Sequence, residues 1–206
     1  MNKTINKKLI LTLNCYFIYL LLGFSKNILG PVLPALIDNY KISLTVAGVL
    51  FTFLSTGRFF AVTASTVFID TVGRKPILVT GNSLVTLGLL GYALSTFWWG
   101  HLISILFVGM GIGFAIPGCN ALIADLYQEK RGQALNLLHM CFSIGAFLGP
   151  LIAGYYLSLD FSWRWIYLTG AVFSSIILIF LLKLEVPGRK SYQDMMKQDL
   201  QENYLL

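Results

Sequence analysis

Long apolar segments separated by short polar turns constrain this chain more than any other feature. A helix that crosses a bilayer needs about 20 mostly apolar residues. Six stretches of the sequence meet that need, at residues 9–37, 43–69, 76–97, 100–126, 133–159 and 164–184. Because lipid offers no hydrogen-bond partner to an open backbone, each stretch has to be an α-helix. The sequence therefore predicts an all-α integral membrane protein with six transmembrane helices.

The composition agrees with lipid as the solvent of most of the chain. Hydrophobic residues make up 56% of the sequence and charged residues 12%, and the mean hydropathy is +0.74. A typical soluble domain is about one quarter charged. Most of the basic residues behind the net charge of +6 lie in the tails and turns, where they indicate orientation in the membrane. We expect the lipid bilayer as a partner and no nucleic acid.

The basic residues near the segment ends are distributed unequally between the two sides of the membrane. Eleven lie on one side and two on the other. The larger set consists of Lys3, Lys7, Lys8, Arg74, Lys75, Lys130, Arg131, Lys183, Arg189, Lys190 and Lys197, and the smaller set of Lys41 and Arg164. By the positive-inside rule, we expect both termini in the cytoplasm and the cell membrane as the location. Residues 1–8 are then an N-terminal tail, and residues 185–206 are a tail or the start of a linker. The first segment is longer than a signal-peptide core, so we expect it to be retained.

A unit of three helices occurs twice in the sequence. Pro31 recurs as Pro117 at an offset of 86 residues, and Gly57 recurs as Gly145 at an offset of 88. Further on, Asp70 and Arg74 recur as Asp160 and Arg164. Because a unit with an odd number of helices reverses its direction in the second copy, we expect an inverted three-plus-three repeat. That arrangement is typical of transporters.

The charged turn between the second and third segments carries the first candidate cluster. A carboxylate at a helix C-terminus is unfavourable unless it is paired, so we expect Arg74 or another basic neighbour to hold Asp70. Gly73 allows the tight turn a positive φ. The cluster either locks one side of the molecule and opens during gating, or only fixes the topology.

Three glycines of the fifth segment predict close helix packing. Gly145, Gly149 and Gly154 lie four and five residues apart, near one face of a helix. Small residues let helix backbones approach closely in membranes. We expect this glycine face, together with Pro150, to serve packing against a neighbouring helix.

Taken together, these motifs resemble the N-terminal six-helix half of the major facilitator superfamily, over about residues 9–185. The signature between helices 2 and 3 of that family is matched by Asp70, Gly73, Arg74 and Lys75. The loop between helices 4 and 5 resembles the segment with Asp125 and Arg131, and the Gly-Pro motif of helix 5 is matched by Gly145, Gly149, Pro150 and Gly154. The resemblance implies half of a twelve-helix transporter that works by alternating access. It also implies a gating role for the six residues Asp70, Gly73, Arg74, Lys75, Asp125 and Arg131.

Two basic residues, Lys26 and Arg58, lie near the middle of apolar segments. A charge at that depth costs about 2.5–3.5 kcal/mol, and no acidic residue lies deep in any segment to offset it. These cations therefore face a water-filled cavity, bind an anionic substrate or pair with acids of another chain, unless they snorkel or bond to backbone carbonyls. We expect Asn27 and Asn120 to donate and accept hydrogen bonds in the same cavity, and His139 to bond between helices.

These observations predict secondary active transport of a small solute, anionic or sugar-like, coupled to a proton or a sodium ion. The expected partner is a second six-helix half, either another copy or a separate chain. A truncated or non-transporting scaffold or sensor remains the alternative, and a drug or multidrug exporter remains the alternative within the transporter class. No nucleophile and base, metal cluster or phosphate loop occurs in the sequence, so we expect neither an enzyme nor a cofactor or metal.

Overall fold

Six membrane-length helices build the fold. The computed structural model describes residues 2–186, with side chains from residue 7 onward. The helices are α1 (Asn2–Asn27), α2 (Leu29–Tyr40), α3 (Leu44–Val72), α4 (Arg74–Leu94), α5 (Trp98–Leu126), α6 (Arg131–Ser158) and α7 (Arg164–Lys183). Because α1 and α2 form one span, Lys7–Tyr40, the described residues contain six helices long and apolar enough to cross a bilayer. The predicted fold class is confirmed. Of the tail expected at residues 185–206, only residues 185 and 186 are among the described residues.

The first span is interrupted in its middle. Ile28 separates α1 from α2, although its own N–H still donates to the carbonyl oxygen of Phe24 across 3.1 Å. Proline has no N–H to donate, so Pro31 leaves the carbonyl of Asn27 without its usual helical partner. A second proline, Pro34, lies inside α2. The interruption therefore follows directly on the segment that holds two candidate residues, Lys26 and Asn27.

The helix packing has the symmetry that an inverted repeat requires. Helix α1 packs on α6, and α5 packs on α3. The contacts of α1 with α7 are likewise matched by those of α5 with α4. If the first three spans are exchanged with the last three, each of these contacts becomes its counterpart. The predicted three-plus-three repeat is thus present in the structure.

Glycines set the closest approach between α1 and α6. A Cβ atom added at Gly145 would collide with the backbone carbonyl of Leu20, and one added at Gly23 would collide with the carbonyl of Phe142. Only glycine permits backbones to lie so near each other. Van der Waals packing and lipid entropy favour association of such helices where no hydrophobic driving force exists between them.

The same contact occurs between α3 and α5. A Cβ atom at Gly57 would collide with the carbonyl of Leu106, and one at Gly109 would collide with the carbonyl of Leu54. Each of these four residues has a counterpart in the α1–α6 contact, at the offset of 86 or 88 residues seen in the sequence. The repeat therefore extends to individual glycine–carbonyl contacts.

The remaining residues of the predicted glycine face differ in their surroundings. Gly149 also lies against α1, where an added Cβ would come 3.0 Å from the carbonyl oxygen of Phe24. Gly154 has no neighbouring atom within 4 Å of such a Cβ, so it makes no close helix contact. Pro150 lies inside α6 and is half-buried.

A buried aromatic cluster joins the helices at the end of the bundle away from the N-terminus. His101 of α5 and Tyr40 of α2 form a hydrogen bond of 2.7 Å. The rings of Tyr92 and Tyr167 stack with centroids 4.1 Å apart. Arg164 donates to the carbonyl oxygens at the end of α4, at distances of 2.6 Å. This arginine thus caps a helix, and its repeat counterpart Arg74 likewise donates to the carbonyl oxygen of Ile69 near the end of α3, across 3.4 Å.

The glycine contact predicts a position-specific effect on stability. Valine at Gly145 should lower the stability of the fold by about 3 kcal/mol, because its side chain meets backbone that cannot move aside. Valine at Gly154 should change stability by less than about 0.5 kcal/mol, since the position is open. Thermal unfolding in detergent, followed by fluorescence-detected size-exclusion chromatography, measures both. Equal melting temperatures for the two variants would contradict the contact.

Candidate functional site

The charged turn after α3 forms an ion-pair cluster with α5. The guanidinium of Arg74 donates to Asp125 across 3.0 Å and lies 3.8 Å from Asp70. The Arg74 side chain is only 9% exposed, whereas that of Asp70 is 75% exposed. The nearer and better shielded carboxylate is thus Asp125, which lies 51 positions further along the chain. The sequence drew attention to Asp70 as the partner, because the two are neighbours in the motif.

Two other residues of the predicted gating set take part in the same turn. Gly73, with φ of +90°, forms the single-residue connection between α3 and α4. Lys75 donates to the carbonyl oxygen of Leu182 across 3.0 Å. A cation is favourable at the C-terminus of a helix such as α7. The turn therefore connects α3, α4, α5 and α7 at one end of the bundle.

Arg131 lies apart from this cluster. None of the ion pairs among residues 7–186 involves it. Its side chain instead lines a cavity of about 410 Å³ between α5 and α6. Asn120 and His139 line the same cavity. The structure thus places one predicted gating residue beside one predicted binding residue.

A tyrosine organises the polar side of this cavity. The hydroxyl of Tyr19, a fully buried residue of α1, donates to Asn120 Oδ1 across 2.6 Å and lies 3.3 Å from the carbonyl oxygen of Ile116. The ring of His139 packs edge-on against the Tyr19 ring, with centroids 5.7 Å apart. The hydrogen bond expected between helices thus comes from Tyr19, and His139 contributes an aromatic contact.

Sequence reasoning missed Tyr19, although the repeat contains a signal for it. Its counterpart in the second copy is Ile105. A polar group that only one copy carries is not needed for the packing shared by both. The same comparison singles out Arg58, whose counterpart is Ala146, and Lys26, whose counterpart is Ile112.

Arg58 lies at the midpoint of α3, at the glycine contact with α5. A Cβ atom on Gly113 would come 2.6 Å from the Arg58 carbonyl oxygen, and one on Gly109 would come 3.2 Å from its nitrogen. This close approach fixes the Arg58 backbone. Its side chain is exposed and forms no ion pair within residues 7–186.

Lys26 and Asn27 lie elsewhere. Both are half-buried in the last turn of α1, outside the lining of the α5–α6 cavity. The Asn27 amide donates to the carbonyl oxygen of Gly23 across 2.8 Å, within its own helix. A cation such as Lys26 is favourable at a helix C-terminus.

The site offers cations and hydrogen-bonding side chains to a ligand. Arg131, Asn120 and His139 line the cavity, and Arg58 lies at the contact of α3 with α5, the helix that carries Asn120. Within the described part of the chain, no group of three or more His, Cys, Asp or Glu side chains is arranged to hold a metal ion. Such a site can bind a small solute, with affinity for negative charge.

The ion-pair geometry predicts unequal effects of the two carboxylates. Alanine at Asp125 should lower stability by about 3 kcal/mol, because it leaves the shielded Arg74 guanidinium poorly compensated. Alanine at Asp70 should cost less than about 1 kcal/mol, because that carboxylate is distant and exposed. Melting temperatures of the two variants in detergent provide the test. A larger loss for the Asp70 variant would contradict this assignment.

Comparison with known proteins places this geometry in a family. The model of the Major Facilitator Superfamily matches residues 15–199. The chain is 28% identical over 178 residues to the protein TsgA homolog of Buchnera aphidicola subsp. Schizaphis graminum. The matched region covers 86% of this chain and 46% of the relative. It is 30% identical over 192 residues to the bacillibactin exporter of Bacillus subtilis, covering 88% of this chain and 44% of the exporter. The chain thus spans less than half the length of these curated relatives.

Solved structures agree on the fold. The D-xylose–proton symporter superposes with a TM-score of 0.77 at 16% identity, over 95% of this chain and 52% of the symporter. The human organic anion transporter MFSD10 superposes with a TM-score of 0.72 at 18% identity, over 88% of this chain and 48% of that transporter. The six helices correspond to about half of each. This protein is an integral membrane protein that belongs to the Major Facilitator Superfamily.

Proposed function

We propose that this chain provides half of a pathway for secondary active transport of a small anionic solute by alternating access. The observation that carries the proposal is the exposed side chain of Arg58 at the midpoint of a membrane-spanning helix. An arginine at that depth is costly, by about 2.5–3.5 kcal/mol on insertion scales. Intramembrane charges of this kind mark substrate and ion pathways.

The charge balance around the cavity supports an anionic rather than a neutral solute. Arg131 lines the cavity, and Arg58 lies at the contact of α3 with α5, which carries Asn120. The acidic side chains that form ion pairs in the described residues all lie near helix ends, at Asp38, Asp70, Asp125 and Glu185. A bound anion would offset the excess positive charge. A sugar-like solute is the less favoured form of the proposal, since it leaves Arg58 uncompensated.

The exposed faces of α3 and α6 support a second six-helix half as partner. These two helices are the least buried of the six spans in the described residues. Large apolar side chains are exposed on both, including Phe59 and Phe60 on α3 and Phe147 on α6. We propose that a second copy or a separate chain covers them and completes the cavity. The Arg74 cluster then closes one end of the pathway and opens as the halves rock.

Location and coupling form a separate part of the proposal. The excess of Lys and Arg on one side supports the cell membrane with both termini in the cytoplasm. A proton or a sodium ion drives the transport. No cofactor and no enzymatic step are needed.

An exporter is the second candidate, because the chain is similar to the bacillibactin exporter. Export and import differ in the direction of the driving ion gradient. Vesicles loaded with solute and vesicles loaded with buffer distinguish them. A scaffold or sensor without transport is the remaining alternative.

Uptake by proteoliposomes that contain this chain tests the proposal. A panel of radiolabelled small carboxylates should include at least one that is transported, and neutral analogues of the same size should not be. The Arg58→Gln variant should lower that uptake about tenfold or more, because a charge-assisted hydrogen bond to the solute is lost. The Lys41→Gln variant is the matched control, since Lys41 is 80% exposed and pairs only with Asp38 in the described residues.

Two results would contradict the proposal. Transport of a neutral solute that is unchanged in Arg58→Gln would remove the role of this arginine in binding. Failure of the folded protein to transport any solute of the panel in either direction would favour the scaffold. Size-exclusion chromatography before reconstitution establishes that each variant is folded.

A further inference from the structure

The hydroxyl group of Tyr19 fixes the orientation of a side chain that lines the α5–α6 cavity. Tyr19 is fully buried, and its hydroxyl donates to Asn120 Oδ1 across 2.6 Å. The carbonyl oxygen of Ile116 lies further from the hydroxyl, at 3.3 Å. Since a tyrosine hydroxyl has one hydrogen to donate, the shorter contact receives it. The amide of Asn120 is therefore held with its oxygen toward α1.

The other end of the same amide is free to bind a ligand. Asn120 is half-buried and lines the cavity. The bond from Tyr19 is the one side-chain hydrogen bond that Asn120 forms among the described residues. An amide nitrogen donates two hydrogen bonds and accepts none. With Oδ1 held by Tyr19, the group that Asn120 offers to the cavity is the donor Nδ2.

Helix α6 holds the ring of Tyr19 in place. The ring meets those of His139 and Phe142 edge to face, with centroids 5.7 Å and 6.4 Å apart. Tyr19 thus contacts α6 through its ring and α5 through its hydroxyl. The packing shared by the two repeat copies does not need this hydroxyl, because the counterpart of Tyr19 is Ile105.

The cavity has a cation in its lining and no carboxylate. Arg131 is exposed there and takes part in no ion pair within residues 7–186. A guanidinium has donors alone, and it binds carboxylates through paired, charge-assisted hydrogen bonds. Two groups that only donate therefore face the same space, which selects a ligand with negative charge on oxygen. The lining residues are Pro117, Asn120, Ala121, Arg131, Leu135 and His139.

We propose that Arg131 and Asn120 bind the carboxylate of the transported solute, and that Tyr19 is the positioning residue that directs the Asn120 amide toward it. The inference rests on the anionic solute of the proposed function. One carboxylate oxygen accepts a hydrogen bond from Asn120 Nδ2, and the guanidinium of Arg131 compensates the charge. Arg131 then serves in binding, although its place in the sequence motif suggested gating.

Ligand-induced shifts of the melting temperature of the full chain in detergent test this inference. The probes are benzoate and succinate, with benzamide and succinamide as neutral counterparts of similar shape. A ligand that binds only the folded state stabilises it according to its concentration and affinity, so a titration gives the dissociation constant. We expect at least one acid to bind about tenfold or more tightly than its amide, because hydrogen bonds to a charged group are the stronger ones. Arg131→Gln should remove that preference.

Tyr19→Phe tests the positioning role. It should weaken binding of the acid about threefold to tenfold and narrow the preference over the amide, because the released Asn120 side chain can turn Oδ1 into the cavity. In an Asn120→Ala background the same change should have no further effect, since Tyr19 then has no amide to direct. Tyr92→Phe is the matched control, because Tyr92 is also fully buried and its hydroxyl has no partner among the described residues.

Several results would overturn the inference. Tighter binding of the amides would mean that Oδ1 of Asn120 faces the cavity. An equal loss from Tyr19→Phe with and without Asn120 would remove the positioning role. Binding of the acids that is unchanged in Arg131→Gln, or no binding of any probe, would remove the site. Arg131 is exposed, so its variant is informative even where Tyr19→Phe alters folding.

Uptake by proteoliposomes separates this inference from the proposed function. Binding that depends on Arg131 and Tyr19 without uptake in either direction would contradict the proposed function alone. Uptake of an acid that is unchanged in both Arg131→Gln and Tyr19→Phe would contradict this inference alone.

Discussion

Close contact between helix backbones is the constraint on which the rest of this structure depends. Apolar side chains gain little by leaving lipid for one another, so the helices must associate through packing at short range. Gly145 and Gly23 permit this between α1 and α6, and Gly57 and Gly109 permit it between α3 and α5. A methyl group at any of these positions would push apart α1 and α6 or α3 and α5, and so move α5 or α6, which line the cavity.

A comparison of the two copies of the repeat separates residues needed for helix packing from residues that packing does not require. Residues that agree between the copies, such as the paired glycines, make the contacts that both halves of the bundle share. Residues that differ place polar groups where symmetry does not require them. Arg58 corresponds to Ala146 in the other copy, and Tyr19 corresponds to Ile105. Of these residues, Tyr19 bonds to Asn120 at the cavity and Arg58 lies at the contact of α3 with α5, whereas Lys26, which also differs between the copies, lies outside the cavity lining.

Much of the fold could be predicted from the sequence, because hydropathy, helix length and the repeat offsets all depend on local patterns. The six spans and the inverted repeat followed from these. The partners of individual side chains could not be predicted in the same way. Arg74 pairs more closely with Asp125 than with Asp70, since the approach of α4 to α5 decides the distance. Gly154 lies near the face of Gly145, yet α6 has no neighbour at that point.

The proposed function requires that the glycine contacts hold Arg58 on a water-accessible face in the middle of the membrane. Cysteine accessibility in intact membranes tests it directly, in a background where the native cysteines are replaced by alanine. An Arg58→Cys variant should react with a membrane-impermeant maleimide, and an Ile103→Cys variant on the exposed apolar surface of α5 should not. An Arg58→Cys variant as unreactive as Ile103→Cys would place that position in lipid and contradict the account.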